Sequence, residues 1–103
     1  MTLAAVKNYL DITWEDPNTD SKLQGIMARA ESVLNEYAGE TLDFDTDPNT
    51  ALCQLYLDCC RYIWNHSYEL FEINFKPKLL MLRAQRQVSD NAEDNADNEG
   101  ADV

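Results

Sequence analysis

Cys53, Cys59, Cys60 and His66 are the side chains of this 103-residue sequence best equipped for chemistry. Thiolates and an imidazole are zinc ligands, and either can serve as a nucleophile or a base. Their spacing argues against both uses. They fall in one apolar, helix-forming stretch, where only residues three, four or seven apart share a side. Cys53 and Cys60, like Cys59 and His66, are seven apart, which separates them by about 10 Å along a helix axis, too far to share an ion. Small buried hydrophobes and a helix-end histidine account for all four. His66 is the one histidine in the chain, and no serine, histidine and acid grouping forms a triad.

The carboxylates offer no better site. Asp43, Asp45 and Asp47, or Asp16 and Asp20, are dense enough for a calcium loop but lack its central glycine and closing glutamate. Three glycines in the whole chain could not build a phosphate-binding loop. No catalytic residue, metal or cofactor is therefore expected, and the chain reads as a non-enzyme. One basic segment remains, with Lys76, Lys78, Arg83 and Arg86 holding half of the 8 basic residues. It could meet phosphate, but its interleaved Leu79, Leu80 and Leu82 suit docking on a protein, with arginine pairing to partner carboxylates.

Charge points the same way. The formal net charge is -11, and residues 89–103 carry six acids (Asp90, Glu93, Asp94, Asp97, Glu99 and Asp102) and no base. That balance disfavours wrapping nucleic acid, whose affinity comes from neutralised phosphates. Secretory-signal features and membrane-length apolar runs are absent from the sequence. Three cysteines, two of them adjacent, do not make a disulfide framework, so a reducing cytoplasm is the expected site of synthesis.

The elements that would position these residues are helices. Leu3, Val6 and Leu10 form one stripe behind a Thr2 N-cap, predicting a first helix over 3–10. The segment 11–20, centred on Asp16-Pro17-Asn18, reads as a loop from which Ile12 and Trp14 fold back. Asp20 or Ser21 then caps a second helix to Ala38, with Leu23, Ile26, Met27, Ala30, Val33, Leu34 and Tyr37 inward and Gly39 as its stop. A third helix is expected from Pro48 to Ser67 or Tyr68, roughly 30 Å long. Its polar stripe (Gln54, Asp58, Arg61, Asn65, Glu69) leaves an apolar arc of about 240°, wider than a surface helix buries. That helix should be central and also packed against another subunit. Residues 69–77 read as a connection exposing Phe71 and Phe75, and Pro77 opens a last helix through Val88. The expected fold is all-α, a small bundle of about four helices around the long third one. Residues 1–88 form the domain and 89–103 a disordered acidic tail.

In order and spacing these features resemble the small head-tail connector (adaptor) family of tailed bacteriophages. The resemblance rests on Thr2-Leu3, Val6-Lys7-Asn8-Tyr9-Leu10 and Ile12, then Asp20, Leu23, Ile26, Ala30, Val33, Leu34, Tyr37, Gly39 and Leu42. It continues through Pro48, the aromatic end of the third helix with Asn65-His66, and Leu79-Leu80 with Leu82-Arg83, covering about residues 2–86. It departs from the family at Asp11, where a basic residue is common, and in the approach to the last helix, Asn74-Phe75-Lys76-Pro77-Lys78.

The resemblance implies a virion protein of the phage neck, a ring of about twelve copies beneath the portal that joins head to tail around a DNA channel. Its partners would be its own copies, the portal and a downstream neck or tail protein, with no sequence-specific DNA contact and no membrane. Docking to portal or neighbour is assigned to Leu79, Leu80, Leu82, Arg83 and Arg86. The subunit interface is assigned to Leu57, Cys60, Arg61, Trp64, Phe71 and Phe75. The alternative is a cytoplasmic helical regulator that binds another protein or nucleic acid.

Overall fold

Helix α1, Leu3–Tyr9, begins because Thr2 is extended and its Oγ1 accepts a hydrogen bond from the Ala5 N–H at 3.1 Å. It ends in a left-handed residue that is not glycine, Asp11 at φ 59°. The Ile12 N–H reaches back to the Lys7 carbonyl (2.9 Å) and the Asp11 N–H to the Asn8 carbonyl (3.3 Å). This is the paired closure of a Schellman motif, with Ile12 buried behind it. The computed structural model, which describes residues 1–45 and 50–84, repeats the device at the end of α3, Ala51–Trp64. There His66 is left-handed (φ 57°), the Ser67 N–H bonds to the Tyr62 carbonyl at 2.8 Å, and the His66 N–H bonds to that of Ile63 at 3.0 Å. Aspartate and histidine are among the side chains that tolerate this region best.

Helix α2, Pro17–Ala38, starts earlier than its apolar periodicity predicts. Asp16, not Asp20 or Ser21, is the cap: its carboxylate accepts from the Asn18 N–H (3.3 Å) and the Thr19 hydroxyl (3.0 Å). Pro17 takes the first helical position, where its missing N–H costs nothing and its φ is already set. Asp20 therefore lies in the first turn and pairs with Lys7 at 3.0 Å, while Glu15 pairs with the same ammonium at 3.3 Å. This ion triplet ties α1 to the head of α2. Trp14 does not fold back as expected; it is half exposed, with its Nε1 donating to the Thr19 hydroxyl. Gly39 (φ 76°) ends α2 as its type and place suggest.

Helix α3 is the centre of the fold and packs against α1, α2 and α4. Its capping residue is Thr50, whose Oγ1 accepts from the Cys53 N–H at 3.2 Å. The helix is 14 residues long rather than the twenty or so expected. The expected opening at Pro48 lies outside the described residues, and the left-handed His66 forces the early end. Leu23, Ile26, Ala30, Leu34 and Ala38 of α2 meet Cys53, Leu55, Tyr56, Cys59, Cys60 and Ile63 of α3, and Leu42 and Phe44 close the side. Phe44 packs on the Tyr56 ring at 4.6 Å between centroids, and the Tyr56 hydroxyl donates to the Met27 carbonyl at 3.2 Å.

The segment read as a connection is largely helical: α4 spans Tyr68–Asn74. Helix α5 comes next, from 76 to at least 84, the last described residue. Phe71 is fully buried, not exposed, because α4 turns it inward against Tyr62 and Phe75. Leu79 and Leu82 anchor α5 in the same core. The chain is all-α, with no strand among the described residues. The expected continuation of α5 to Val88 and the acidic tail, 89–103, lie outside them.

A left-handed conformation costs an ordinary L-residue about 1–2 kcal/mol, less for aspartate. Asp11→Gly should therefore raise stability by about 0.5–1 kcal/mol in urea unfolding. A loss of stability would show that the Asp11 side chain contributes more than its backbone strain.

Candidate interaction surfaces

Spacing alone assigns Asp58 to a solvated stripe, yet it is buried between α1 and α3. Its carboxylate accepts from the Tyr9 hydroxyl, from Gln54 Nε2 at 3.4 Å, and pairs with Arg61 at 3.7 Å. Gln54 also donates to the Tyr9 oxygen at 3.1 Å. Desolvation, then the bond to the Asp58 carboxylate, pushes the Tyr9 pKa up. Arg61 lies 5.9 Å from the Tyr9 ring centre and 5.7 Å from that of Tyr62, so its guanidinium is already engaged within its own chain.

Beyond this cluster, the structure concentrates unpartnered apolar surface on its C-terminal arm. Leu70 and Ile73 on α4, and Leu80 and Met81 on α5, are all more than half exposed. Leu70 and Ile73 are three positions apart, which puts them on one face of α4. Between α3 and α5 runs a groove of about 360 Å³ lined by Ala51, Leu52, Leu55, Met81 and Leu82, with Asp58 and Lys78 at its polar edge. On another side of α5, Arg83 lines a polar cleft with Glu36, Tyr37, Tyr68 and Glu72. There the Tyr37 hydroxyl donates to Glu72 at 2.5 Å, and that bond, followed by burial, pushes the Tyr37 pKa up to about 12.

The residues singled out in the sequence divide accordingly. Of the interface set, Cys60 and Phe71 are fully enclosed and have no surface to offer a neighbour. Leu57, Trp64 and Phe75 are partly buried against the core, and Arg61 is exposed but stacked and ion-paired. Of the docking set, Leu79 and Leu82 are core residues, Leu80 and Arg83 are exposed, and Arg86 lies outside the described residues. Sequence reasoning misses Leu70 and Ile73. The pattern Leu70-Phe71-Glu72-Ile73-Asn74-Phe75 holds their signal, with Phe71 and Phe75 four apart on one side and Leu70 and Ile73 three apart on another.

Cys53, Cys59 and Cys60 are buried free thiols. Burial pushes Cys59 and Cys60 up to about 12, which keeps them protonated and unreactive at neutral pH. No group of three or more histidine, cysteine, aspartate or glutamate side chains that could hold a metal occurs among the described residues. Nor is any helix among them long and apolar enough to cross a membrane. In comparisons with protein families, curated proteins and solved structures, none matches this chain.

Tyr9→Phe should cost about 1–3 kcal/mol in urea unfolding, because it strips a buried carboxylate of its hydroxyl donor. Unchanged stability would show that the α1–α3 contact does not depend on this bond. Stability should also depend on pH. Burial raises Tyr56 and Tyr68, as it does the two thiols, while the bond to Asp20 raises Lys7 against the effect of burial. Groups raised on folding contribute stability in full below their unfolded values, 9.0 for cysteine and 10.0 for tyrosine, and lose it as pH climbs through the folded values. The urea midpoint should fall between pH 9 and about 12. A midpoint constant from pH 8 to 11 would contradict it.

Proposed function

We propose that this chain is a structural adaptor of the bacteriophage neck, assembling as a ring beneath the portal and leaving a channel for DNA. One observation carries the reading: four of the five large exposed hydrophobic side chains among the described residues, Leu70, Ile73, Leu80 and Met81, lie on α4 and α5. A small domain that leaves this much apolar surface on one arm is built to be covered by protein. The order of sequence features that resembles the head-tail connector family supplies the class of assembly.

A head-to-tail ring needs two different, complementary patches on each subunit. The Leu70–Ile73 face of α4 is the first, and the apolar groove between α3 and α5 is the second. Leu80 and Arg83 then remain for the portal, joined by Arg86. Leu79 and Leu82 act indirectly, by fixing α5 on the core. Formal acidity suits a channel wall that repels phosphate and lets DNA pass. Action in the virion, no turnover and no cofactor belong to the same reading.

Light scattering, with and without the cognate portal, tests it. The wild-type chain should form a ring with rising concentration or on adding portal. Ile73→Glu should block assembly and, since Ile73 is 68% exposed, should change monomer stability by less than about 0.5 kcal/mol. A stable dimer indifferent to both portal and Ile73→Glu would overturn the proposal.

A further inference from the structure

On a chain of formal charge -11, one pocket gathers basic side chains. Lys22, Arg29 and His66, with Ile26, Ile63, Tyr68 and Glu69, line a space of about 370 Å³ between α2 and the turn from α3 to α4. The Lys22 ammonium stands 5.0 Å from the centre of the Trp64 ring and the Arg29 guanidinium 4.8 Å from that of Tyr68. Both are held over aromatic faces, yet neither of them nor His66 makes an ion pair among the described residues. Among the described residues, Glu69 is the one carboxylate lining the pocket.

An aromatic floor with unneutralised cations is a receptor for anions. Lys22 and Arg29 are seven residues apart on α2, or about 10 Å along its axis. A peptide in the polyproline II conformation, with three residues per turn at about 3.1 Å each, returns to the same face after about 9 Å. The acidic segment of this chain repeats that interval: Asp90 with Glu93, Asp94 with Asp97, and Glu99 with Asp102. The segment is also tethered nearby. Tyr68 lines both this pocket and the cleft that holds Arg83. Asp90 lies six residues beyond Ala84, a reach of up to about 20 Å. Tethering of this length supplies an effective concentration near millimolar.

We infer that the Lys22–Arg29–His66 pocket is a docking site for a carboxylate-rich peptide, and that its occupant is the same chain's own segment 90–97. This assignment stands whether or not the adaptor reading holds. It makes the tail a tethered competitor that any acidic segment of a partner must displace.

Zero-length carbodiimide coupling of the full-length protein at low salt tests it, with the monomer isolated before peptide mapping. The tail carboxylates should couple to Lys22 in preference to Lys76 and Lys78, which are nearer in sequence. The yield at Lys22 should fall at least about fivefold in 0.5 M salt, where charges are screened beyond a few ångströms, and on Arg29→Gln. Coupling confined to Lys76 and Lys78 would overturn the inference, as would a Lys22 yield indifferent to Arg29→Gln. A Lys22 product found only in covalent dimers would overturn it in favour of a second copy. A gel shift of duplex DNA lost on Arg29→Gln would overturn it in favour of phosphate.

Discussion

The enclosure of α3 is the constraint on which the rest of the structure depends. Tyr56, Cys59 and Cys60 have no exposed surface, and Cys53, Leu55 and Ile63 have little. A helix this apolar must be covered on most sides, since each buried aliphatic or aromatic side chain contributes about 1.5–3 kcal/mol only when water is excluded from it. Helix α2 covers one side, α1 and the Leu42–Phe44 turn close others, and α4 returns Phe71 to the far end. One member of the polar stripe, Asp58, is drawn into the same enclosure, while Gln54, Arg61, Asn65 and Glu69 stay exposed. Asp58 is buried and so needs Tyr9, Gln54 and Arg61, which links the short α1 to α3 by hydrogen bonds as well as by packing.

Because α3 is largely used up inside the protomer, most of the exposed apolar surface among the described residues falls on α4 and α5. Sequence periodicity overstates the surface α3 can offer, since it counts apolar residues without showing how many neighbours the chain itself provides. Cys60 falls into an interface set for that reason; Phe71 does so because residues 69–77 read as an exposed connection and not as a helix that turns it inward. The arm formed by α4 and α5 has the opposite character: Phe71, Leu79 and Leu82 face in, while Leu70, Ile73, Leu80 and Met81 face out. Each of the two helices thus has one face on the core and one face open to solvent.

The parts legible in the sequence are those written in spacing and in residues with narrow uses. The stripe of α2, its stop at Gly39 and the Thr2 cap follow directly from residue type. The misplaced boundaries have a shared cause. Asp11 and His66 end helices in left-handed conformations that glycine would have announced, and Asp16-Pro17 is a helix start as readily as a turn. The burial of Asp58 is not legible, because its donor Tyr9 lies 49 residues away. The basic pocket is hidden for the same reason: Lys22 and Arg29 of α2 meet His66, in the turn after α3, only once α2 packs on α3.

In the proposed ring, α3 stays enclosed within each protomer and assembly proceeds through α4 and α5. Electron cryomicroscopy of the assembled protein with its portal tests it most directly. A closed ring is expected, in which Leu70 and Ile73 of one subunit meet the α3–α5 groove of the next, with Cys60 and Phe71 still inside each protomer. A two-fold dimer, or a ring whose α4 and α5 faces point to solvent, would contradict it.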